Sequence, residues 1–327
     1  KQIWDLVIAD EAHKIKAPGG KASLFFKRLA KHALFRIGLS GTPMPHGHTD
    51  LFGIFRFLDI TIYGPSNNAF KQNYCVMGGY QCKQIVGPKN MEDFHARMNR
   101  ITFRVGKEVL DLPEQTHVTY YCELGPEGTR VYRNMEEDLV AEVKDGLVTA
   151  ANVMVKILRL GQITGGWAKT DDGRLHRIDH AKQKLLEDTL EDMGPEEPAV
   201  VFCWFHQDLD AVHEACRNQG HSSLELSGRR DELKPWQAGA AQVLAVQIQA
   251  GGVGIDLTRA RYSIFYSLGF SLGDYDQALS RVHRPGQTRP VEHIHLLAKN
   301  TVDVRIMRAL EKRAEVVEAI LAEIKNS

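Results

Sequence analysis

Short apolar runs alternate with helix-like stretches through the last part of this chain, and this alternation limits the possible folds most strongly. Apolar, β-branched runs of this kind are typical of parallel strands covered on both faces. Their alternation with helices is typical of an α/β sheet. We therefore predict a parallel sheet within residues 181–327. Its strands are expected at residues 199–205, 243–248, 262–268 and 291–297, and its helices at residues 207–219 and 274–283.

Two more apolar runs lie near the start of the chain, and both end in polar residues. Residues 6–9 are followed by Asp10 and Glu11, and residues 35–39 are followed by the segment Ser40-Gly41-Thr42-Pro43. Open α/β sheets bind their ligands at the carboxyl ends of their strands. We therefore expect functional side chains at the ends of these two runs.

Length and pattern together predict two lobes. A chain of 327 residues is too long for one ordinary core, and its 43% hydrophobic content is typical of a soluble globular protein. Residues 51–110 are predicted to be irregular and partly helical, with an amphipathic stretch at 91–99, and residues 116–123 alternate like a strand. Helical spacing follows at 126–160. A long helix is expected from Thr301, with one apolar face formed by Ile306, Leu310, Val317, Ile320 and Ile324.

Charge and cysteine usage exclude several other classes. The 41 Lys and Arg residues balance the 41 Asp and Glu residues, so any affinity for nucleic acid must come from local clusters. The five cysteines contain no C-x-x-C pair, which argues against a zinc site or a disulfide framework. No leader or membrane span is visible, so a cytoplasmic location is expected. Because the first residue is Lys1, we expect the chain to be a piece of something longer or to have lost its start.

The first candidate site is the acidic pair Asp10 and Glu11. Magnesium bound to a nucleotide takes few protein ligands, often one carboxylate, and phosphate oxygens and water complete its shell. Asp10 suits that role, and Glu11 beside it could orient the attacking water. The alternative interpretation is a strand that ends in a solvated acidic turn, because four letters, D-E-A-H, are weak evidence alone.

The second candidate site is the segment QALSRVHRPGQ at residues 277–287. Helical spacing places Gln277, Arg281 and Arg284 on one face, while Pro285 places Arg284 at or beside the helix end. A guanidinium held there could stabilise the negative charge that develops on a phosphoryl group during its transfer. The alternative is an exposed basic helix paired with Asp274 and Asp276.

A glycine-rich segment, GGVGIDLT at residues 251–258, lies between two of the predicted strands. Glycines such as Gly254 permit the backbone to approach a ligand closely, and Asp256 and Thr258 supply polar groups. A tight turn between strand and helix explains the same residues equally well.

Taken together and in this order, these segments resemble the Swi/Snf-type ATPases of helicase superfamily two. The resemblance runs through DEAHKIK, LSGTPM, RVGKEVLDLPEQ, VVFCWF, AGGVGIDLTRARYSIFYSL, QALSRVHRPGQ and VEHIHLLAKNTVDVRI. The compact form, with HRPGQ, GIDL and IYGPSNNAFKQNYCVMGGY, is similar to short members from bacteria and bacteriophages and to the annealing-helicase branch. The sequence departs from the family pattern at residues 44–47, where an asparagine is usual, at Asp256 and at Phe270.

The resemblance implies an α/β fold with two RecA-like lobes, the first one incomplete, that close on ATP and Mg²⁺ and grip double-stranded DNA without reading its sequence. It implies three parts: residues 1–125 in the first lobe with a helical insertion, 126–180 as a helical protrusion or linker, and 181–327 as the second lobe.

The resemblance also implies roles for single residues. Asp10 and Glu11 would occupy the Walker B positions, with Asp10 binding the magnesium ion. His13, Ser40 and Thr42 would link the nucleotide site to the DNA site, and Gln277, Arg281 and Arg284 would complete the site from the opposite lobe.

Local basic groups could meet DNA phosphates, although a solvated surface explains them as well. These residues are Lys27, Arg28, Arg229 and Arg230.

A phosphate-binding loop is missing from the sequence. Such a loop needs G-x-x-x-x-G-K-[ST] at the start of a helix, and neither Gly20-Lys21 nor Gly106-Lys107 fits that pattern. We therefore expect that this chain is the C-terminal majority of a DNA-stimulated ATPase and duplex translocase, and that it does not hydrolyse ATP alone. The alternatives are a non-catalytic DNA-binding or partner-binding module, and one half of a split enzyme.

Overall fold

The computed structural model describes most of the chain, which forms two compact units, Lys1–Val109 and Leu110–Ser327. The described residues are 3–41, 43–44, 47–79, 84–106, 109–144, 150–169, 173–194, 196–250, 254–313, 316, 319–320 and 323. In this part of the chain, no helix has both the length and the apolar character needed to cross a bilayer.

The first unit is built on two parallel strands, β1 (Trp4–Ala9) and β2 (Ala33–Gly38). These are the two apolar runs that the sequence predicted. Leu39 N donates to Ala9 O at 2.9 Å and Ala12 N donates to Leu39 O at 2.8 Å, so the pairing continues past both strand ends. The carboxyl ends of the two strands therefore lie side by side.

Five helices and a hairpin complete the first unit. The amphipathic stretch predicted at 91–99 is the last of these helices, whereas the hairpin was not predicted from the sequence. The helices are α1 (Lys21–Leu29), α2 (Leu51–Leu58), α3 (Ile60–Tyr63), α4 (Asn67–Tyr74) and α5 (Met91–Met98), and the hairpin strands are β3 (Cys75–Gly78) and β4 (Gln84–Pro88). Their buried aromatic side chains form one cluster, which contains Phe52, Phe55, Tyr63, Phe70, Tyr74 and Phe94.

Gly53 lets α2 approach the segment that follows β1. A Cβ atom at Gly53 would lie 2.4 Å from Ile15 O and 2.3 Å from Lys16 O, both in backbone that no side chain could displace. Residues Ala12–Ile15 form a short 3-10 helix at this contact. A glycine at position 53 therefore lets α2 pack directly against the backbone at the end of this 3-10 helix.

The second unit contains a six-stranded parallel sheet. Its strands are β5 (Gln115–Cys122), β8 (Ala199–Cys203), β9 (Ser223–Leu226), β10 (Val243–Gln247), β11 (Tyr262–Phe265) and β12 (Val291–Ala298). They lie in the order β5-β12-β11-β8-β10-β9. The α/β fold class with two parallel-sheet lobes is therefore confirmed. All four strands predicted in the second series are present, and β9 was missed.

Helices cover both faces of this sheet. Along β8, Val200 and Phe202 belong to one buried cluster, and Val201 and Cys203 belong to the other. This alternation is expected for a strand buried on both faces. The helices are α6 (Pro126–Lys144), α7 (Ala150–Thr164), α8 (Ala181–Met193), α9 (His206–Asn218), α10 (Leu233–Gln237), α11 (Leu272–Val282) and α12 (Val302–Glu311), and a hairpin of β6 (Trp167–Lys169) and β7 (Leu175–Arg177) follows α7.

The boundary between the two compact units lies between Val109 and Leu110, whereas the predicted first part ends at residue 125. Strand β5 pairs with β12 over its whole length, so it belongs to the second sheet. Helices α6 and α7, predicted as a protrusion or linker, bury Leu139 and Ile157 in the same cluster as Phe265 of the sheet. Apolar side chains on both helices thus tie residues 126–164 to the second unit.

The long final helix predicted from Thr301 is wrong in its length. Helix α12 ends at Glu311, and Arg313 adopts φ 53°, a left-handed conformation that stops a right-handed helix. Ile306, Leu310 and Ile320 are buried as the apolar face required. Val317 and Ile324 lie outside the described residues.

Candidate nucleotide site

The predicted acidic pair lies at the end of β1, where the backbone turns sharply. Glu11 adopts φ 51° and ψ 50°, a left-handed conformation that is uncommon for residues other than glycine. Its N–H donates to Asp10 Oδ1 at 2.9 Å. Backbone strain of this kind is concentrated at functional sites. The turn leaves Asp10 exposed and directs Glu11 back towards the 3-10 helix.

His13 connects Glu11 to the end of the neighbouring strand. Its Nδ1 atom lies 3.2 Å from Glu11 Oε2 and 3.2 Å from Ser40 Oγ. The Glu11 and His13 side chains are 21% and 25% exposed, so both are partly buried and remain partly accessible to solvent. The structure therefore brings together Glu11, His13 and Ser40 from two strands. Thr42, which was predicted beside them, lies outside the described residues.

The donor set at the end of β1 fits a magnesium ion that is carried by a nucleotide. Within the described residues, no group of three or more His, Cys, Asp or Glu side chains could hold a metal ion alone. A nucleotide-bound magnesium ion needs only one or two carboxylates, because phosphate oxygens and water supply the rest. Asp10 is exposed and uses Oδ1 to accept from Glu11 N, so it can serve as that single carboxylate.

In the second unit, Arg284 lies beyond the end of α11, as Pro285 predicted. The helix begins after Ser271, whose side chain caps it by accepting from Asp274 N at 3.2 Å, and it ends at Val282. Gln277 and Arg281 stand one helical turn apart on this helix. Arg281 O accepts from Leu257 N at 3.1 Å, so the helix end contacts the glycine-rich segment.

The glycine-rich loop and Arg284 meet directly. Arg284 Nη1 donates to Ile255 O at 3.0 Å, which fixes its guanidinium beside the loop. Asp256 Oδ1 accepts from Thr258 N at 2.9 Å and from Thr258 Oγ1 at 2.7 Å. These hydrogen bonds, with the nearby Arg284 charge, lower the pKa of Asp256 and keep it ionised. Gly254 has φ 91°, so the loop requires glycine there.

Sequence reasoning missed Gln287, which is 5% exposed and holds this region together. Its Nε2 donates to Thr258 O at 3.1 Å and to Ala260 O at 2.8 Å. Its Oε1 accepts from the backbone N–H groups of Thr288 and Arg289, each at 3.1 Å. The only signal in the sequence is a polar residue directly after Pro285-Gly286, and that signal does not reveal burial.

Replacing Gln287 with leucine is expected to lower the free energy of unfolding by about 1–3 kcal/mol, because buried backbone groups lose their partners. Urea unfolding of the whole chain, followed by circular dichroism, measures this change. Gln237→Leu is the matched control, since Gln237 is exposed and donates to Asp256 O at 2.8 Å. The control is expected to stay within about 0.5 kcal/mol of the wild type. Equal effects of the two variants would contradict a buried clamp at Gln287.

The four predicted DNA contacts differ in their surroundings. Lys27 and Arg28 lie in the last turn of α1, and Arg230 is exposed. Arg229 instead donates to Glu225 Oε1 at 3.1 Å and to Asp210 Oδ1 at 2.9 Å, so two carboxylates already neutralise it. Lys27, Arg28 and Arg230 stay predictions, and the structure weakens the prediction for Arg229.

Two protein-family models match the chain. The SNF2-related domain matches residues 1–165, and the helicase conserved C-terminal domain matches residues 181–286. These are the regions that carry the acidic cluster and the arginine-bearing helix. The chain belongs to the SNF2-related family of helicase-like ATPases.

The chain is similar to several known proteins over nearly its full length. An uncharacterized ATP-dependent helicase of Mycoplasma genitalium is 26% identical over 98% of this chain and 31% of its own length. A putative protein p41 of Acyrthosiphon pisum secondary endosymbiont phage 1 is 25% identical over 98% of this chain and 72% of its own length. The crystal structure of the C-terminal part of the Fun30 ATPase domain has a TM-score of 0.53 at 17% identity, covering 66% of this chain and 99% of that one. The chain thus spans less than a third of its mycoplasma relative.

Proposed function

We propose that this chain is the C-terminal portion of a DNA-dependent ATPase that translocates on double-stranded DNA and remodels DNA or the complexes bound to it. The observation that carries this proposal is the cluster in which His13 Nδ1 lies 3.2 Å from both Glu11 and Ser40. Such a cluster holds a carboxylate at the end of a parallel strand, where α/β sheets bind their ligands. Membership of the SNF2-related family supports the same function.

In this proposal, each residue of the cluster has a separate role. Asp10 would hold Mg²⁺, and the ion when bound would neutralise charge on the phosphates of ATP. Glu11 would accept a hydrogen bond from the attacking water and orient it. His13 holds Glu11 in place and contacts Ser40, so a movement of the β2 end would change the position of the carboxylate. DNA binding that moves the β2 end would therefore change the rate of ATP hydrolysis through this contact.

The residues of the second unit would act on the same nucleotide. Arg284, held by Ile255 O at 3.0 Å, would donate to the transferring phosphoryl group, and Arg281 would contribute a second positive charge. The negative charge of Asp256, which the nearby Arg284 charge stabilises, would help to orient the guanidinium. Gln277, on the same helix as Arg281, would contact the nucleotide. Lys27, Arg28 and Arg230 would meet DNA phosphates without reading base sequence.

We expect the 327-residue chain alone to show no ATP hydrolysis above background with Mg²⁺ and duplex DNA. The physical reason is that no G-x-x-x-x-G-K-[ST] loop is present to surround the phosphates with N–H groups and a lysine. A coupled phosphate-release assay with the purified chain measures this. DNA-stimulated hydrolysis that Glu11→Gln abolishes would contradict the expectation.

Two further measurements on the purified chain distinguish a non-catalytic binding module from one half of a split enzyme. Salt-dependent duplex binding that nucleotide does not change would favour a non-catalytic binding module. ATPase activity restored by a second polypeptide would favour a split enzyme.

A further inference from the structure

A histidine and a tyrosine join the arginine-bearing helix of the second unit to the sheet on which it packs. Tyr275 Oη lies 2.8 Å from His295 Nε2, and the two residues belong to α11 and β12. His295 is fully buried, and its ring stacks on Phe265 of β11 with the ring centroids 5.0 Å apart. The Tyr275 ring packs against the same Phe265 at 5.2 Å. A hydrogen bond and aromatic packing thus meet where α11 contacts the sheet.

The direction of the hydrogen bond between these two residues follows from the surroundings of His295. Its Nδ1 lies 3.4 Å from Val118 O, and a carbonyl oxygen only accepts, so Nδ1 carries the proton. Burial, together with the nearby His117, lowers the pKa of His295 to about 4, which keeps the ring neutral at pH 7. A neutral imidazole with its proton on Nδ1 accepts at Nε2. Tyr275 O–H therefore donates to His295, and burial raises the pKa of Tyr275 and keeps that proton in place.

His295 is a polar residue in an otherwise buried apolar part of β12. Its neighbours Ile294, Leu296 and Leu297 are all buried apolar side chains. A buried polar side chain costs free energy unless its donors and acceptors are paired. Both nitrogens of His295 are paired, one with β5 and one with α11. An apolar residue would fill this position without any directed bond to the helix, so histidine supplies the directional contact.

Tyr275 lies on the buried side of α11. Ala278 and Val282 follow it by three and seven residues, so they share that side, and both are buried. Apolar packing has no preferred direction, whereas a hydrogen bond does. The hydroxyl of Tyr275 therefore fixes how the helix is turned about its axis. Gln277 and Arg281 follow Tyr275 by two and six residues and lie on another side of the helix, so their directions depend on that turn.

Other polar contacts hold α11 less firmly near Tyr275 than at its end. Just after the helix, His283 Nε2 lies 2.8 Å from Pro113 O, and His283 is buried. Nearer the start, Arg313 Nη2 donates to Asp276 Oδ2 at 2.7 Å, but the Arg313 side chain is 63% exposed. Ion pairs exposed to water contribute little. Loss of the Tyr275 contact would therefore free the first half of α11 to turn.

We propose that Tyr275 and His295 are positioning residues that set the orientation of α11 and, through it, the places of Arg281 and Arg284 in the nucleotide site. This inference rests on the proposed function. His295 is buried in the sheet and acts through Tyr275, so it would not touch the nucleotide. A misplacement of about 1 Å in a group that acts on the reacting atoms lowers the rate by about a hundredfold. The arginines would act in the transition state, so the loss falls on kcat and not on ATP binding.

The first part of the test uses the isolated 327-residue chain and does not depend on ATP hydrolysis. NMR of the 15N-labelled chain, with His295 assigned from His295→Gln, reports which ring nitrogen carries the proton. We expect a neutral ring with the proton on Nδ1 at pH 7. Tyr275→Phe is expected to shift the guanidinium Nε–H resonances of Arg281 and Arg284, which lie six and nine residues further along the chain. A proton on Nε2, or unshifted arginine resonances, would overturn the inference.

Tyr132→Phe is the matched control for loss of a tyrosine hydroxyl. Tyr132 is buried on α6, and its hydroxyl accepts from Val302 N at 2.7 Å. This variant loses a hydrogen bond of similar length in the same unit without touching α11. It is expected to leave the resonances of Arg281 and Arg284 unchanged. Equal shifts in the two variants would show a general loss of packing and contradict a specific role for Tyr275.

The second part measures steady-state ATP hydrolysis by a longer polypeptide that contains both this chain and a phosphate-binding loop. Tyr275→Phe is expected to lower the DNA-stimulated kcat by about ten- to a hundredfold, with the KM for ATP changed by no more than about threefold. Tyr132→Phe is expected to keep the wild-type kcat. Equal kcat values in the two variants would overturn the inference.

Substitutions at position 295 test the acceptor itself. Glutamine offers an oxygen that can accept from Tyr275 O–H, and leucine does not. His295→Gln is therefore expected to retain a kcat at least about tenfold above that of His295→Leu, with folding checked by circular dichroism; if either fails to fold, Tyr275→Phe decides. A longer polypeptide without ATP hydrolysis would contradict the proposed function, while the NMR results on the isolated chain would still decide whether Tyr275 positions α11.

Discussion

Glu11→Gln, introduced into a longer polypeptide that contains both this chain and a phosphate-binding loop, is expected to lower the DNA-stimulated kcat by about two to four powers of ten. Glutamine has nearly the same shape as glutamate and can still contact His13, but it cannot accept a proton from the attacking water. Because the group acts in the transition state, the KM for ATP is expected to change by no more than about threefold. Steady-state phosphate release at saturating duplex DNA measures both constants.

Glu137→Gln is the control for the loss of one negative charge. Glu137 is exposed on α6 and has no part in the proposed site, so its variant is expected to match the wild type. A Glu11→Gln enzyme with normal kcat would remove Glu11 from the catalytic role. A large increase in KM with normal kcat would instead assign Glu11 to nucleotide binding.

Arg284→Ala is expected to lower kcat by about three to five powers of ten, because an arginine that stabilises the transferring phosphoryl group contributes an effect of that size. ATP binding, measured with a fluorescent analogue in the absence of turnover, is expected to persist. The measurement uses the same longer polypeptide, since we expect no ATP hydrolysis by the isolated chain.

A second substitution separates catalysis from loop positioning. Arg284 Nη1 donates to Ile255 O, so Arg284→Ala also removes a structural hydrogen bond. Lysine can make that bond but lacks the planar fork that matches a phosphoryl group. Arg284→Lys is therefore expected to keep the wild-type unfolding midpoint and still lose most of the activity. Full activity in Arg284→Lys would show that the residue only positions the loop. Arg308→Ala, on the exposed side of α12, controls for loss of charge.

The strands that position the candidate site were predictable from the chain because their patterns are strong and local. Residues 6–9 and 35–39 are apolar runs bounded by polar turns, and both became paired parallel strands. Pro285 predicted that α11 ends before Arg284 because proline restricts the residue before it. These features depend on neighbouring residues, which the sequence displays directly.

Other parts of the site depend on contacts between distant residues. The left-handed conformation of Glu11 and the close approach of Gly53 to Ile15 O and Lys16 O, at the end of the following 3-10 helix, are visible only in the folded chain. Gln287 looks like an exposed turn residue in the sequence, yet it is buried between the ends of the glycine-rich loop and α11. Arg229 looks like a free cation, but Glu225 and Asp210 bind it.

The sequence by itself determined the class of this protein: local hydrophobic patterns specify parallel strands and helices, and ordered motifs place carboxylates and arginines at their ends. Only the tertiary structure decided which of those groups meet, since contacts such as that of His13 Nδ1 with Ser40 Oγ join residues that lie 27 positions apart in the chain. It also showed that β5 joins the second sheet. Burial is a property of the packed chain, and no run of neighbouring residues encodes it alone.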